Sequence, residues 1–375
     1  MRLAINATVV ESRSSGLGVY TRHIVRELAK LLPDLVVFSS APEILELEHI
    51  DHQMVTPNVR GSLGRRGHLA RFLWAQSVLP RRLKQVNASV LLAPTPMEAM
   101  IAPRVPQVVT IHDLIPLRFP EAHPRQRYFY RFVVPRLLRR SAGIVAVSNI
   151  TKMEIVSVYG VDPNRITVIH NGCDRQRFTA RPSQKQSDLI HSKRPYILYV
   201  GNLLPHKNLH RLIEAFARIA QRLHHQLIIV GHKDARYFPE LQRNVNSRGI
   251  GGRVTFLGFV SAEELTELYR SSDWFVLPSL FEGFGMPPIE AMACGTPVIV
   301  SSIPALRETV AEAGIYFDPE DIAEMSERIL MACADNGKRA EFREKGLKRA
   351  ATFDWSIAAG KILTTLQEAG AVLRQ

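Results

Sequence analysis

Cysteine is scarce in this chain: 3 in 375 residues, at Cys173, Cys294 and Cys333. So few excludes a disulfide framework, fits a reducing compartment, and shows no metal-site spacing. No apolar run approaches the length that spans a bilayer. Residues 1–10, followed at once by Glu11 and Arg13, are too short and polar for a secretory leader. The expected location is the cytoplasm. There is no short tandem repeat and no low-complexity tract. Acid is missing where base is dense: residues 60–84 hold Arg60, Arg65, Arg66, Arg71, Arg81, Arg82 and Lys84 with no Asp or Glu among them. No Asp-x-Asp pair follows a strand in the loops that would face a ligand, so no metal and no cofactor is expected. No side chain stands out as a covalent nucleophile.

At 375 residues the chain is too long for one core and suits two domains. A hydrophobic content of 46% with 22% charged residues is that of an ordinary globular protein. The net charge of +13 is unevenly placed. Residues 1–185 hold 26 Lys and Arg against 13 Asp and Glu, while residues 186–375 hold 22 of each. Residues 60–140 alone carry 15 bases against Glu98, Asp113 and Glu121. Those bases are interleaved with Phe72, Leu73, Trp74, Phe129 and Phe132, a mixture that suits the headgroup boundary of an anionic membrane.

The most informative stretch is FEGFGMPPIEAMACGTPVI, residues 281–299. An apolar run at 274–277 precedes it and another at 298–300 closes it, both of strand length. Pro287 and Pro288 suit a first helical turn, Gly295 a left-handed cap, and Pro297 bars continuation. The reading is strand, Gly-rich loop, short helix, strand. Amides at Gly283, Phe284, Gly285 and Met286 then face an anion at a helix N-terminus. Glu282 in the loop and Glu290 in the first turn would accept from sugar hydroxyls. A diphosphate bearing a sugar at each end uses all of these groups.

Glu282 and Glu290, separated by seven residues in that context, resemble the E-x7-E signature of retaining glycosyltransferases of family 4, which have the GT-B fold. The resemblance covers nearly the whole chain and is densest over residues 196–320. It implies an α/β protein with two Rossmann-like domains facing a central cleft. It also implies roles: Glu290 for the ribose, Glu282 with the 283–285 amides for the donor sugar. In the TIHD run, His112 matches a histidine beneath the donor sugar. In GNLLPHKN, Lys207 matches a lysine that holds the diphosphate. The arginine that family members place five residues before it or beside it is replaced by Asn202 and His206. Asn202 is kept as a donor-binding candidate, and Lys207 becomes the one clear local cation. Gly258-Phe259-Val260 resembles the segment that holds the nucleobase, which makes Val260 a candidate. Gly16 and Gly18 would bring a Gly-rich loop toward the donor phosphates or the acceptor.

The rest of the chain alternates strands with helices. Strands are expected at 2–10, 35–40, 90–93, 108–111, 144–147, 196–200, 227–230 and 254–257, besides the two flanking the motif. A helix from 19 to about 32 would bury Ile24, Leu28, Leu31 and Leu32. Thr21 stands where a dinucleotide fingerprint needs its third glycine, which argues against a nicotinamide cofactor. A second helix, capped by Asn208, would bury Leu209, Leu212, Ile213, Phe216 and Ile219. Ser261 to Glu264 reads as a capping box. Lys207, just outside a helix start, sits where the dipole disfavours a cation, so an anion is expected beside it. Domain boundaries are expected at 1–180, a linker over 181–194, a second domain over 195–355, and a last helix over 356–375 crossing back to the first domain.

Together these readings predict transfer of a sugar, with GDP-mannose as first choice, from a nucleotide diphosphate sugar to a glycan or lipid-linked acceptor. The protein would lie on the inner membrane face through residues 60–140. Transfer from a UDP- or dTDP-sugar to a soluble acceptor is the near alternative. A nucleotide-sugar binder without activity, an epimerase of the same fold and a nucleic-acid binder are the others. The last lacks any helix-turn-helix, zinc or RNA-recognition signature.

Overall fold

The computed structural model describes residues 2–11, 16–45, 47, 49–181 and 194–371. The linker expected at 181–194 lies, over 182–193, outside the described residues. The chain divides into two units, Met1–Gly172 with Trp355–Gln375, and Cys173–Asp354. The 173–178 segment thus goes with the second unit, whereas the sequence boundary stood at 180.

In the first unit seven parallel strands run in the order β3-β2-β1-β4-β5-β6-β7. They are β1 Leu3–Asn6, β2 Val36–Ser39, β3 Asp51–Met54, β4 Val90–Ala93, β5 Gln107–Ile111, β6 Gly143–Ala146 and β7 Ile166–Val168. In the second unit six parallel strands are ordered β10-β9-β8-β11-β12-β13. These are β8 Tyr196–Val200, β9 Gln226–Val230, β10 Val254–Gly258, β11 Trp274–Leu277, β12 Val298–Ser301 and β13 Gly314–Phe317. Runs such as VLLA in β4 and VIVS in β12 are wholly buried, as sheets covered by helices on both faces require.

The helices that matter below are α1 Gly16–Leu31, α2 Arg65–Ser77, α3 Leu209–Ile219, α4 Ala262–Ser271, α5 Met286–Ala293 and α6 Trp355–Ala371. In α3 all five residues picked out by spacing are buried. In α1 the buried face runs through Tyr20, Ile24, Val25 and Leu28, while Leu31 in the last turn is half exposed, contrary to expectation. The helix also starts earlier than expected, so Gly16 and Gly18 occupy its first turn rather than a loop. Helix α6 packs in the first unit, where the Trp355 ring stacks on His23 at 5.0 Å and meets Tyr20 edge-on at 5.8 Å.

Each sheet reverses its strand order once, between β1 and β4 and between β8 and β11. Ligands of open α/β sheets bind outside the carboxyl ends of the strands at such points. The two densest sequence motifs, 201–208 after β8 and 278–286 after β11, both issue from the reversal of the second sheet.

Candidate active site

Strand β11 is entirely apolar and buried, so the chain leaves the sheet at Pro278 with nothing polar behind it. The loop that follows is held by specific bonds. The Leu280 amide donates to the His206 carbonyl at 2.8 Å, joining it to the turn after β8. Asn208 adopts the left-handed conformation with φ 61°. Its side-chain amide donates to the Pro278 carbonyl at 2.9 Å and to the Pro319 carbonyl at 2.7 Å. Asn208 therefore sits at the start of α3 without capping it, contrary to the sequence reading. It is a clamp binding the loops that follow β8, β11 and β13.

Lys207 and Glu282 meet inside this clamp. The Lys207 Nζ donates to Glu282 Oε1 at 2.6 Å, and the Ser279 hydroxyl donates to the same oxygen at 2.7 Å. Side-chain exposures of 12% and 9% make this a desolvated ion pair. The anion expected beside Lys207 is thus supplied by the protein itself. A donor diphosphate would meet a lysine already engaged, and a carboxylate already turned toward it.

Beyond Glu282 the loop reaches Gly285, whose φ of 96° and crowding against Leu306 admit only glycine. Helix α5 then begins at Met286. Pro287 and Pro288 fill its first turn, as expected, and they also remove two of the four donors that a helix start normally presents. The amides offered to an anion here come from the loop and Met286 more than from the helix. At the other end Gly295 has φ 80°, with Gly295 N–H to Met292 O at 2.9 Å and Thr296 N–H to Ala291 O at 2.9 Å. That pair of bonds is a Schellman cap.

Glu290 lies in the second turn of α5, not in the first. Its Oε2 accepts from the Tyr269 hydroxyl at 3.0 Å. Desolvation pushes its carboxyl up to about 7, against the opposing pull of the Tyr269 bond and the nearby Arg177 charge. Asp174 adds to the upward push. The carboxyl therefore titrates in the physiological range.

The remaining candidates are more dispersed. Asn202 is exposed just past β8, its carbonyl accepting from the Tyr199 hydroxyl at 2.8 Å. Val260 follows Gly258, which has φ 77°, and its neighbour Phe259 is among the most exposed apolar side chains of the protein. The capping box at Ser261 and Glu264 is present in full.

His112, Gly16 and Gly18 belong to the first unit. His112 follows β5, and its Nε2 lies 2.9 Å from the Pro94 carbonyl oxygen after β4. A carbonyl only accepts, so the proton sits on Nε2 and Nδ1 is left as an acceptor. Burial lowers the ring to about 4, and Tyr20 packs edge-on at 4.6 Å. His112 is neutral at ordinary pH and is not an acid.

The basic interval 60–140 also needs revision. Arg71 is buried beside the buried Glu98, with Nε 3.4 Å from Oε1. Trp74 packs on Phe38, Phe129 on the core, and Phe72 on Phe129 at 5.5 Å. These three rings are not a free apolar face. The apolar side chains left at least half exposed are Leu63, Leu69, Leu73, Tyr128 and Phe132. Arg127 and Arg131 lie over the Tyr128 and Phe132 rings. No helix among the described residues is long and apolar enough to cross a membrane.

The residues that sequence reasoning missed are Asn208 as clamp, Ser279, Arg177 and Tyr269. Tyr269 reads as an ordinary core aromatic, and only its hydroxyl partner distinguishes it.

Comparison with known proteins adds to this geometry. Residues 14–177 match a family described as Glycosyltransferase Family 4, and residues 180–349 match one described as Glycosyl transferases group 1. The O-antigen chain mannosyltransferase B of Escherichia coli is 27% identical over 382 residues, covering 95% of this chain and 96% of that protein. The O-antigen chain mannosyltransferase RfbU of Salmonella typhimurium is 35% identical over 215 residues, 57% of each chain. Among solved structures, sucrose-phosphate synthase from Thermosynechococcus elongatus superposes with a TM-score of 0.80 at 20% identity, covering 99% of both chains. Anabaena Alr3699/HepE in complex with UDP and glucose superposes with a TM-score of 0.76 at 23% identity, covering 98% of this chain and 99% of that one. At those identities the structures establish a shared GT-B architecture.

Proposed function

The chain belongs to the glycosyltransferases of group 1 and family 4, and from that premise we propose that it moves a hexose from a nucleotide diphosphate sugar to a glycan hydroxyl with retention at the anomeric carbon. GDP-mannose is the first choice of donor, since the relative that matches 95% of this chain is named a mannosyltransferase. The acceptor is a lipid-linked glycan of a bacterial surface polysaccharide.

The observation that carries this reading is the Lys207–Glu282 pair in the loops after β8 and β11, at the strand reversal of the second sheet, with Glu290 on the helix that the same loop opens. Glu290 accepts from ribose hydroxyls. Glu282, aimed by Lys207 and Ser279, accepts from hydroxyls of the donor sugar, with the 283–285 amides beside it. Lys207 then stabilises the charge that grows on the departing diphosphate, a role of the oxyanion-hole type that needs no divalent metal. Asn202 and the Val260 segment flank the nucleoside. In the first unit His112 offers a neutral ring whose Nδ1 accepts from a sugar hydroxyl, and Gly16 and Gly18 open the first turn of α1. No nucleophile is required if the leaving phosphate takes the acceptor's proton on the face it departs from.

Incubation with GDP-, UDP-, dTDP- and ADP-sugars, read by donor turnover and thermal shift, tests this. Donor present at 100 times its dissociation constant adds about 2.7 kcal/mol of stability. No stabilisation by any nucleotide sugar contradicts the reading.

The second element of the proposal is a peripheral membrane contact. Leu69 and Leu73 of α2, and the stacked Tyr128 and Phe132, are exposed, and their chain neighbours Phe72 and Phe129 meet edge-on at 5.5 Å. Arg65, Arg66, Arg125 and Arg131, in the same stretches of chain, are all exposed. Each base near an anionic surface contributes about 1 kcal/mol, and salt reverses it. Sedimentation with anionic but not neutral vesicles at low salt is the expected result. Equal sedimentation with both kinds, or none, removes the membrane from the account.

A further inference from the structure

We propose that Tyr269 is a positioning residue of the donor site, holding one oxygen of the Glu290 carboxylate so that the other is presented to the ribose. The inference rests on the assignment of Glu290 to the ribose. It adds a residue outside the motifs, from the end of α4, as part of nucleotide recognition.

The geometry is specific. The Tyr269 hydroxyl lies 3.0 Å from Glu290 Oε2, and among the described residues no hydrogen bond reaches Oε1. The phenol ring is fully buried and fixed on two sides, edge-on to Phe178 at 5.8 Å and tilted against Phe275 at 5.8 Å. Its own backbone is anchored too. The Tyr269 carbonyl accepts from the Thr296 hydroxyl and from both the amide and hydroxyl of Ser272. A side chain fixed this firmly cannot follow Glu290 if the carboxylate turns. It therefore defines one carboxylate rotamer, with Oε2 occupied and Oε1 open to a ligand.

The charged and titratable groups around Glu290 are few. Tyr269 belongs to α4, Asp174, Arg177 and Cys173 to the segment that opens the second unit, and Cys294 to the end of α5 itself. Burial raises Tyr269 far above the ordinary phenol range, so it donates at every working pH. Burial likewise raises both thiols, Cys294 to about 12, so neither carries charge. The ionisation of Glu290 is then set by desolvation and Asp174 against Tyr269 and Arg177. Removing the Tyr269 hydroxyl removes a bond that favours the carboxylate, and its midpoint moves upward.

The test is the pH dependence of GDP-mannose and UDP-glucose binding, whose doubly esterified diphosphate does not titrate in this range, measured from pH 5.5 to 9 for the wild type, Tyr269→Phe and Glu290→Gln. Phe keeps the ring contacts, and thermal unfolding checks that each variant is folded. In the wild type affinity falls as pH drops through about 7, because the accepting carboxylate is protonated. In Tyr269→Phe the midpoint moves up by about one unit, affinity at pH 7 falls roughly fivefold, and it recovers toward pH 9. Donor KM rises while kcat changes little. In Glu290→Gln affinity is low and independent of pH. A Tyr269→Phe profile that overlays the wild type, with Glu290→Gln still flat, overturns the role of Tyr269. Wild-type affinity and pH dependence in Glu290→Gln overturn instead the assignment of Glu290 on which it rests.

Discussion

The buried pair of Lys207 and Glu282 makes the sharpest prediction about how the site is built. Replacing Lys207 by Met leaves a carboxylate of 9% exposure with the Ser279 hydroxyl as its remaining donor. Replacing Glu282 by Gln leaves an ammonium of 12% exposure without a countercharge. Breaking a buried pair from either side costs about 3–5 kcal/mol, because a desolvated charge is left behind. The double variant, Lys207→Met with Glu282→Gln, leaves no charge uncompensated and loses much less. The coupling energy then exceeds either single loss, about 3 kcal/mol or more, well above the few tenths that separate additive sites. Urea denaturation measures it, and Trp274 is the reporter. Of the three tryptophans only Trp274 belongs to the second unit, so a Trp74→Phe, Trp355→Phe background isolates its signal. Single variants that each lose under about 1 kcal/mol, with an additive double, refute the reasoning. The pair would then be a surface contact with no bearing on the shape of the site.

Further predictions concern the neighbouring groups. Asn208→Ala removes donors from two buried carbonyls and puts alanine, which tolerates the left-handed region less well than asparagine, at φ 61°, so it destabilises by about 2–4 kcal/mol; Asn208→Gly relieves only the backbone part, and equal stability of the two variants with the wild type contradicts the clamp. Glu290 has a folded pKa of about 7 against an ordinary 4.5, so the stability it contributes is present below about 4.5 and lost as pH rises through 7. Glu290→Gln is therefore more stable than the wild type at pH 8, and the gap closes toward pH 5. Thermal unfolding across that range checks the sign. Turnover persists in EDTA, while Lys207→Ala lowers kcat by on the order of 10²–10³; an absolute need for magnesium or manganese contradicts it.

Much of this arrangement was legible because both sheets are parallel and doubly covered. Their strands write themselves as short apolar runs, and β4, β8 and β11 fall where those runs are. Strand β3 was missed because Asp51-His52-Gln53-Met54 is polar and lies at a sheet edge, where nothing requires an apolar face. The loop, proline and glycine signals around α5 were local chemistry, and the Schellman cap followed from them. Partners distant in sequence were not legible. Lys207 reaches Glu282 across 75 residues, and Asn208 reaches Pro319 across 111. An asparagine before a helix looks like a cap whatever its side chain holds. Leu31 and Trp74 show the same limit from the apolar side, since spacing gives a face but not where the sheet ends.

The central claim is sugar transfer with retention at a site built on Lys207, Glu282 and Glu290. Its most direct test is the anomeric configuration of the product, read from the one-bond carbon–hydrogen coupling of the new glycosidic carbon. The donor is the nucleotide sugar that the screen selects, and the acceptor is a glycan primer. The account predicts the configuration of the donor in the product, with transfer abolished in Glu282→Ala. An inverted product, or full transfer by that variant, contradicts it.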